Sequence, residues 1–251
     1  VPEPVIGVAG LGRLGGTLAR KCAEEDILVH EFDPRHPEKW ESLLAPDVLV
    51  DCSAAPAVRH AVELCTRLRV PLVECVSDLD EEHLRLLDGL AQHVPVVRAT
   101  NLSLGNYLMT RSMELVVQAV RTMDRAGITG IVPEAAVLER HPATKTHRPS
   151  ATATALARRW EDGTGSSVSD VASLRAGGAV SDHEIRLTWP EQTFTVSHGV
   201  LSLDAAASTA IGVAGWTVGR SPGHYAVHDI FDDMLASMGG PGAGPDRGDH
   251  V

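Results

Sequence analysis

Aromatic residues are scarce in this chain, with three Phe, two Tyr and four Trp among 251 residues, so aliphatic side chains and alanine must fill the core. Cysteine is scarce as well: Cys22, Cys52, Cys65 and Cys75 have no CxxC spacing, lie in or beside predicted helices and strands, and read as reduced core residues of a cytoplasmic protein. No metal site is assigned. No apolar run approaches the length of a membrane span, and the first residues hold no basic stretch followed by an apolar one, so no membrane partner is expected. Clusters of Lys and Arg are also missing. With 33 acidic against 22 basic residues and a formal charge of -11, nucleic acid is not an expected partner. The length suffices for a large core and one or two domains, and no internal repeat is present.

What is present begins with Val5–Ala19, VIGVAGLGRLGGTLA. A mostly apolar run leads into Gly10-Leu11-Gly12-Arg13-Leu14-Gly15, and an apolar helical period follows at Leu14, Leu18 and Cys22. That order predicts a buried strand, a tight turn and a helix starting at the turn. Gly10 can take a backbone conformation closed to other residues, Gly12 has no Cβ to hold a pyrophosphate away, and Gly15 lets the helix sit close on the sheet. The helix N-terminus then offers unpaired N–H groups to phosphate. The alternative is a glycine-rich turn with no ligand.

Ile27 to Phe32 predicts a second strand with Asp33 at its carboxyl end, 18 residues after Gly15. An acid there bonds adenosine ribose hydroxyls and disfavours a 2′-phosphate, which leans the cofactor toward NADH. Arg35 and His36 follow at once and suit that phosphate, and a plain strand-end cap ahead of Pro34 is the bland reading of Asp33. Strands at 47–51, 71–76 and 94–97 alternate with helices at 57–68 and 80–93, which implies a parallel sheet with right-handed crossovers. The loops after these strands should gather at the carboxyl edge beside the turn. Ser53, Cys75 and Asn101 are the candidate cofactor contacts in them.

Beyond Gly105 the pattern changes. A helix over 106–126 precedes strand-like 128–132 and 135–138, a polar, turn-rich stretch 139–150, a short helix, and a Gly/Ser-rich segment 162–169. Strands at 171–174, 183–189 and 193–198 follow, giving an α+β domain with an open, antiparallel or mixed sheet. Ile185, Leu187 and Trp189 give that sheet an apolar face. Asp204 is the expected N-cap of an Ala-rich helix reaching Val218, with Ile211, Ala214, Gly215 and Val218 as its apolar face. A last helix spans 228–238, and a Gly/Pro/Asp tail expected to be disordered closes the chain.

The stretch Glu139–Ala153, ERHPATKTHRPSATA, combines His141, Lys145 four residues later, and a Pro-Ser-x-Thr turn opening a helix at Ala151. Ser150, Thr152 and the helix N-terminus make an anion cradle suited to a carboxylate. Lys145 adds positive charge, and the unperturbed pKa of His141 suits proton transfer near neutrality. A solvated basic loop with an ordinary serine cap is the alternative.

The chain resembles the dihydrodipicolinate reductase (4-hydroxy-tetrahydrodipicolinate reductase) family over nearly its whole length. The matching segments are GLGRLG at 10–15, VDCSAAP at 50–56, PLVECVSDLDEEHL at 71–84, ATNLSLGN at 99–106, ERHPATKTHRPSATATALA at 139–157, RAGGAVSDH at 175–183, VSHG at 196–199 and SPGHYAVHDIF at 221–231. The resemblance implies a Rossmann-like parallel-sheet domain over 1–105, completed by 204–251. It also implies a substrate-binding and tetramer-forming domain over 106–203, and reduction of a cyclic imine dicarboxylate by NADH or NADPH. Carried over, His141 is the acid, Lys145 protonates or polarises the substrate, and Ser150, Ala151 and Thr152 hold a carboxylate. Glu74 and Ser77 fall in the loop near nicotinamide and substrate.

The chain departs from the family pattern at several of these places. Pro142 stands for the second His, His147 for an Asp, and Ala151 for the Gly of PSGT. Glu74-Cys75-Val76-Ser77 replaces Gly-Thr-Thr-Gly, Leu203 replaces an Arg, the turn is GxGxxG in place of GxxGxxG, and the segment 152–175 is shortened. Partners for a second carboxylate are thereby lost, and Glu74 would repel such an anion if it faces the pocket. The expected function is therefore NAD(P)H-dependent reduction of a C=N bond in a small, cyclic, carboxylate-bearing imine, by a homotetramer or homodimer with altered substrate. A non-redox cyclase or lyase using the same interdomain cleft, and a non-catalytic cofactor-binding subunit, are the alternatives.

Overall fold

The computed structural model describes residues 3–42, 44–128, 130–177 and 181–238. Its chain divides into two compact units, one formed by the residues up to Leu102 and those from Ala206 onward, the other by Ser103–Ala205.

The first unit alternates strands and helices: β1 (Ile6–Ala9), α1 (Arg13–Glu24), β2 (Val29–Phe32), β3 (Val48–Asp51), α2 (Ala55–Leu68), β4 (Leu72–Glu74), α3 (Glu81–Ala91) and β5 (Pro95–Arg98). β1, β3 and β4 are buried at every residue, as strands covered on both faces must be. Asp80 caps α3 by accepting N–H bonds from Glu82 and His83. Phe32 packs edge-on against Trp40 at 5.5 Å between ring centroids, so two of the few aromatics fill one corner of a core otherwise built from Leu, Val and Ala. The chain returns to this unit through most of α6 (Asp204–Thr217), then β10 (Gly223–Ala226) and α7 (Val227–Met238). Every pair in the sheet is parallel, in the order β10-β5-β4-β3-β1-β2. The strand order reverses at β1, which places a topological switch point at the carboxyl ends of β1 and β3.

The second unit holds α4 (Leu104–Arg125), β6 (Glu134–His141), α5 (Ala151–Thr164), β7 (Asp170–Arg175), β8 (Ser181–Trp189) and β9 (Gln192–Val200). Its sheet is mixed: β7 pairs parallel with β6, and β8 and β9 continue antiparallel. α4 and α5 supply Met113, Val117, Leu156 and Trp160 to a core shared with Val137, Ile185 and Leu187. Gly163 allows the close approach, since a Cβ there would sit 2.3 Å from Val117 Cγ1.

The expected fold class, a Rossmann-like parallel sheet plus an open mixed sheet, is the one observed. Several local expectations are corrected. Among the described residues of 128–132 there is no strand, because β6 begins only at Glu134. β6 runs on through Glu139-Arg140-His141, which the polarity of the sequence had assigned to a turn. α5 extends to Thr164 and stops at Gly165, which adopts φ 77°. Asp204 is the first helical residue of α6 rather than its cap, and its N–H goes to Ser202 Oγ. The buried residues of α6 are Ala207, Ala210, Val213, Ala214 and Thr217, so the face is rotated from the expected one. α6 is rich in Ala and Gly on every side, so the sequence period fixed its phase only weakly. β10 was not foreseen. Its His-Tyr pair hides the alternation, and it is a strand only because it adds to the β5 edge. The tail 239–251 lies outside the described residues.

Gly212 and Gly215 of α6 have open space where a Cβ would stand. Gly212→Ala and Gly215→Ala should each stabilise the protein, by up to about 1 kcal/mol. Val213→Asp, which buries a charge, should be strongly destabilising. Thermal melts of the three variants check the phase of the helix, and a lower Tm for Gly215→Ala would refute it.

Candidate functional site

The glycine-rich turn lies where β1 hands the chain to α1. Gly10 takes φ 82°, and a Cβ on it would stand 2.6 Å from Ser53 Cα. At Gly15 a Cβ would stand 1.9 Å from the Gly10 carbonyl oxygen. The protein's own packing therefore demands glycine at both positions. Gly12 is different: a Cβ there meets nothing within 4 Å. It is the N-cap of α1 with no side-chain cap, and no acid occupies the first turn, so the helix opens onto solvent with its N–H groups available to an anion.

A cavity of about 750 Å³ lies against this turn. Gly10, Leu11, Gly12, Asp33 and Ser53 line it, together with Arg35, Cys52 and His60. It occupies the switch point of the sheet and has the size of a nucleotide subsite. Asp33 and Arg35 face each other across two parallel N–H···O bonds, Nε to Oδ1 at 3.0 Å and Nη2 to Oδ2 at 2.8 Å. The Arg35 hydrogen bonds hold the Asp33 carboxyl at about 2. An adenosine ribose would find a carboxylate here, and a 2′-phosphate would find a guanidinium. Arg13, Leu14 and Gly15 belong to α1 and do not line this cavity, and neither do Cys75, which follows β4, and Asn101, which follows β5. His60 and the α2 N-terminus at Ala54, Pro56 and Ala57 were missed as lining residues, since nothing in their sequence marks them.

The carboxyl edge of the sheet buries two acids side by side. Asp51 and Glu74 are register partners at the ends of β3 and β4, and Arg98 pairs with Glu74 from β5. Glu74 is fully buried, and its Oε1 accepts the Val76 N–H at 2.7 Å. Burial first, and then the Asp51 charge, push its carboxyl up to about 8. Asp51 is pushed up as well, chiefly by burial. Asp51 Oδ2, Glu74 Oε2 and the Arg98 Nε and Nη1 are buried without hydrogen-bond partners. Glu74, expected as an anion beside the substrate, is a buried group that holds a proton near neutrality, because no water reaches it. Ser77 lies beyond it and is exposed.

The second unit gathers its polar groups around Glu139. This β6 carboxylate accepts the Ser150 N–H at 3.1 Å, the Ser173 hydroxyl at 2.6 Å and Arg175 Nη2 at 2.7 Å. Burial would raise its carboxyl, yet the bonds from Ser150, Ser173 and Arg175 prevail and hold it at about 2. Arg175, itself nearly inaccessible, also donates to the Lys145 and His147 carbonyls, which fixes the loop that carries Lys145.

His141 ends β6 and lies across from His183 of β8, with the two Nε2 atoms 3.2 Å apart. Ser150, the N-cap of α5, offers Oγ to the Ala153 N–H and lies 3.1 Å from His183 Nε2. Burial, followed by the charge of Lys145, pushes His141 down, and burial followed by His141 pushes His183 down to about 4. The Lys145 ammonium is also pushed down, chiefly by burial. His198, opposite His183 in the sheet register, lies 2.9 Å from Ser103 Oγ at the head of α4.

The structure thus brings together His141, Ser150 and the Lys145 loop, with Ala151 exposed and Thr152 half-buried in the first turn of α5. Glu139, His183 and Arg175 complete the cluster and were not foreseen as site residues. Their signal was the alternation of β6 and β8, which puts Glu139, His141 and His183 on the sheet face that carries Val137 and Ile185.

Residues 5–102 match the model of the N-terminus of dihydrodipicolinate reductase, and residues 109–231 match that of its C-terminus. A 4-hydroxy-tetrahydrodipicolinate reductase of Gluconobacter oxydans (strain 621H) is 30% identical, over 92% of this chain and 98% of that protein. One of Xanthomonas campestris pv. campestris (strain 8004) is 31% identical, over 91% and 98%. Among solved structures, a dipicolinate-bound dihydrodipicolinate reductase from Paenisporosarcina sp. TG-14 superposes with a TM-score of 0.67 at 17% identity, covering 91% of this chain and 100% of that one.

Two outcomes check the geometry. Gly12→Ala should leave the Tm unchanged but weaken NADH binding in calorimetry, whereas Gly15→Ala should lower the Tm; equal NADH affinity in Gly12→Ala would place the phosphates elsewhere. For Glu74, a raised folded-state pKa means stability that is complete below the ordinary glutamate range and lost as pH rises toward about 8. Glu74→Gln should therefore raise the Tm at pH 8.5 and leave it nearly unchanged at pH 4.5. Melts at the two pH values decide this.

Proposed function

The chain belongs to the dihydrodipicolinate reductase family, whose reaction is NAD(P)H-dependent reduction of a cyclic imine, and we propose that it reduces a small cyclic imine bearing one carboxylate. The observation that carries this reading is the Glu139-held cluster, in which an anion cradle at Ser150 and the His141 imidazole share one network of hydrogen bonds. The first unit's turn fits a dinucleotide, because Gly12 is left free of any packing demand by the protein itself. The nicotinamide cofactor supplies hydride when bound.

This chain's own residues do the rest. Gly12 and the α1 N–H groups take the pyrophosphate, and Asp33 takes the ribose, with a slight preference for NADH over NADPH. Ser150, Thr152 and the N-terminus of α5 hold the substrate carboxylate. His141 delivers the proton to the imine nitrogen, and Lys145 supplies the fixed charge that orients and polarises it. Glu139 keeps Ser150 and His141 in place.

The substrate reading follows from what the chain has lost. Pro142 and Leu203 cannot donate hydrogen bonds to a second carboxylate, and Ala151 adds a methyl group where the family has glycine. Glu74 drops out of this argument, since it is buried and neutral. Self-association as a homotetramer or homodimer is part of the same proposal. α4 and α5 pack on one face of the second unit's sheet, and the other face carries Leu138 and Leu174 among Arg140, Glu184 and Arg186.

Steady-state kinetics test the chemistry. His141→Ala and Lys145→Ala should lower kcat by roughly 10²–10⁴ with NADH affinity unchanged, and Thr152→Ala should mainly raise KM. A cyclic imine with one carboxylate should give the higher kcat/KM; efficient turnover of the dicarboxylate would mean the family's own substrate is retained. Light scattering that finds a monomer at tens of micromolar would remove the oligomer.

A further inference from the structure

The proton network around His141 has a second chemical capacity. Glu139, His141 and His183 are all buried, and their ligand atoms lie within 4.8 Å of one another. The three closest atoms form a triangle with edges of 3.2 Å (His141 Nε2 to His183 Nε2), 3.3 Å (His141 Nε2 to Glu139 Oε2) and 3.8 Å (His183 Nε2 to Glu139 Oε2). Inside that triangle a single point lies about 2.0 Å from all three atoms, the zinc-to-nitrogen and zinc-to-carboxylate distance. Without a metal, one imidazole donates its Nε2–H to the other across this contact, and the Ser150 hydroxyl lies 3.1 Å from His183 Nε2.

We infer that Glu139, His141 and His183 bind a transition-metal dication of the zinc class, and that its occupancy withdraws the His141 imidazole from proton transfer. Two nitrogens and one carboxylate oxygen select this class over magnesium or calcium, which take oxygen ligands. Arg175 and Ser173 bind Glu139 Oε1, while Oε2 accepts the Ser150 N–H at 3.1 Å and keeps a second lone pair for the metal, so the ligand carboxylate already has the outer partners that metal sites use for orientation. The positive charge of Arg175 and Lys145 opposes a dication, which makes the site a reversible one. Its fourth position faces Ser150 Oγ or a water, where the substrate carboxylate is proposed to bind. Metal and substrate then compete.

The binding part stands on geometry alone, and the inhibition part rests on the proposed role of His141. Chelator-treated full-length protein, titrated with zinc chloride by calorimetry without substrate or cofactor, should bind one zinc per chain. X-ray absorption at the zinc edge should show nitrogen and oxygen ligands at about 2.0–2.2 Å. His183→Ala and the less disruptive His183→Gln should each weaken binding at least tenfold, with circular dichroism confirming the fold. Unchanged affinity in both variants, sulfur ligands at about 2.3 Å that would point to the cysteines, or no saturable binding to the wild type overturns the site. In the imine assay zinc should inhibit competitively with imine and not with NADH, and a chelator should restore activity. Zinc bound as described without such inhibition overturns the regulatory part. Zinc bound as described to a protein with no imine reductase activity at all would leave the site standing and fail the proposed function instead.

Discussion

The second unit is organised by one buried carboxylate. Glu139 is fully buried on β6, a position that is costly for a charge unless it is fully paired. The chain pairs it from three directions: Ser150 at the head of α5, Ser173 on β7 and Arg175 at the end of β7. Each of these partners does something further. Ser150 caps a helix, and Arg175 ties down the Lys145 loop through two carbonyls. Removing the charge would therefore disturb the helix start, the loop and the His141 ring together. That is why the cluster behaves as a unit and not as a set of separable contacts.

The nucleotide turn of the first unit is arranged on a different principle. Gly10 and Gly15 are required by the protein, since their missing side chains let α1 and the Ser53 loop close on the turn. Gly12 makes no such packing demand, since a Cβ there would meet nothing within 4 Å. One motif of three glycines thus divides into two that the packing requires and one that it leaves open, a division that only the folded structure exposes.

The carboxyl edge of the parallel sheet shows how the same residue type changes meaning with depth. Asp33 sits at a solvent-facing strand end, ion-paired with Arg35 and firmly ionised. Glu74 sits three strands away, sealed beside Asp51, and burial pushes its carboxyl up to about 8. Nothing in the letters of the two strand ends separates them, because the difference lies in which neighbours exclude water.

The sequence by itself determined the parallel sheet, the glycine turn, the mixed second sheet and the pairing of His141, Lys145 and Ser150 in one segment. These were legible because they depend on local periods, on glycine where other residues cannot fit, and on a serine that caps the helix that follows it. The tertiary structure decided the rest. Polar Glu139 and His141 looked like turn residues, and only pairing with β8 made them inward-facing strand residues next to His183, 42 positions away. The Ala-rich α6 carries small residues on every side, so packing set its buried face away from the one its larger apolar residues suggest. β10 became a strand because β5 had an open edge, and Glu74 became neutral because the sheet closed over it. Burial and cross-strand neighbours are properties of the folded chain, and they carry information that no stretch of residues holds.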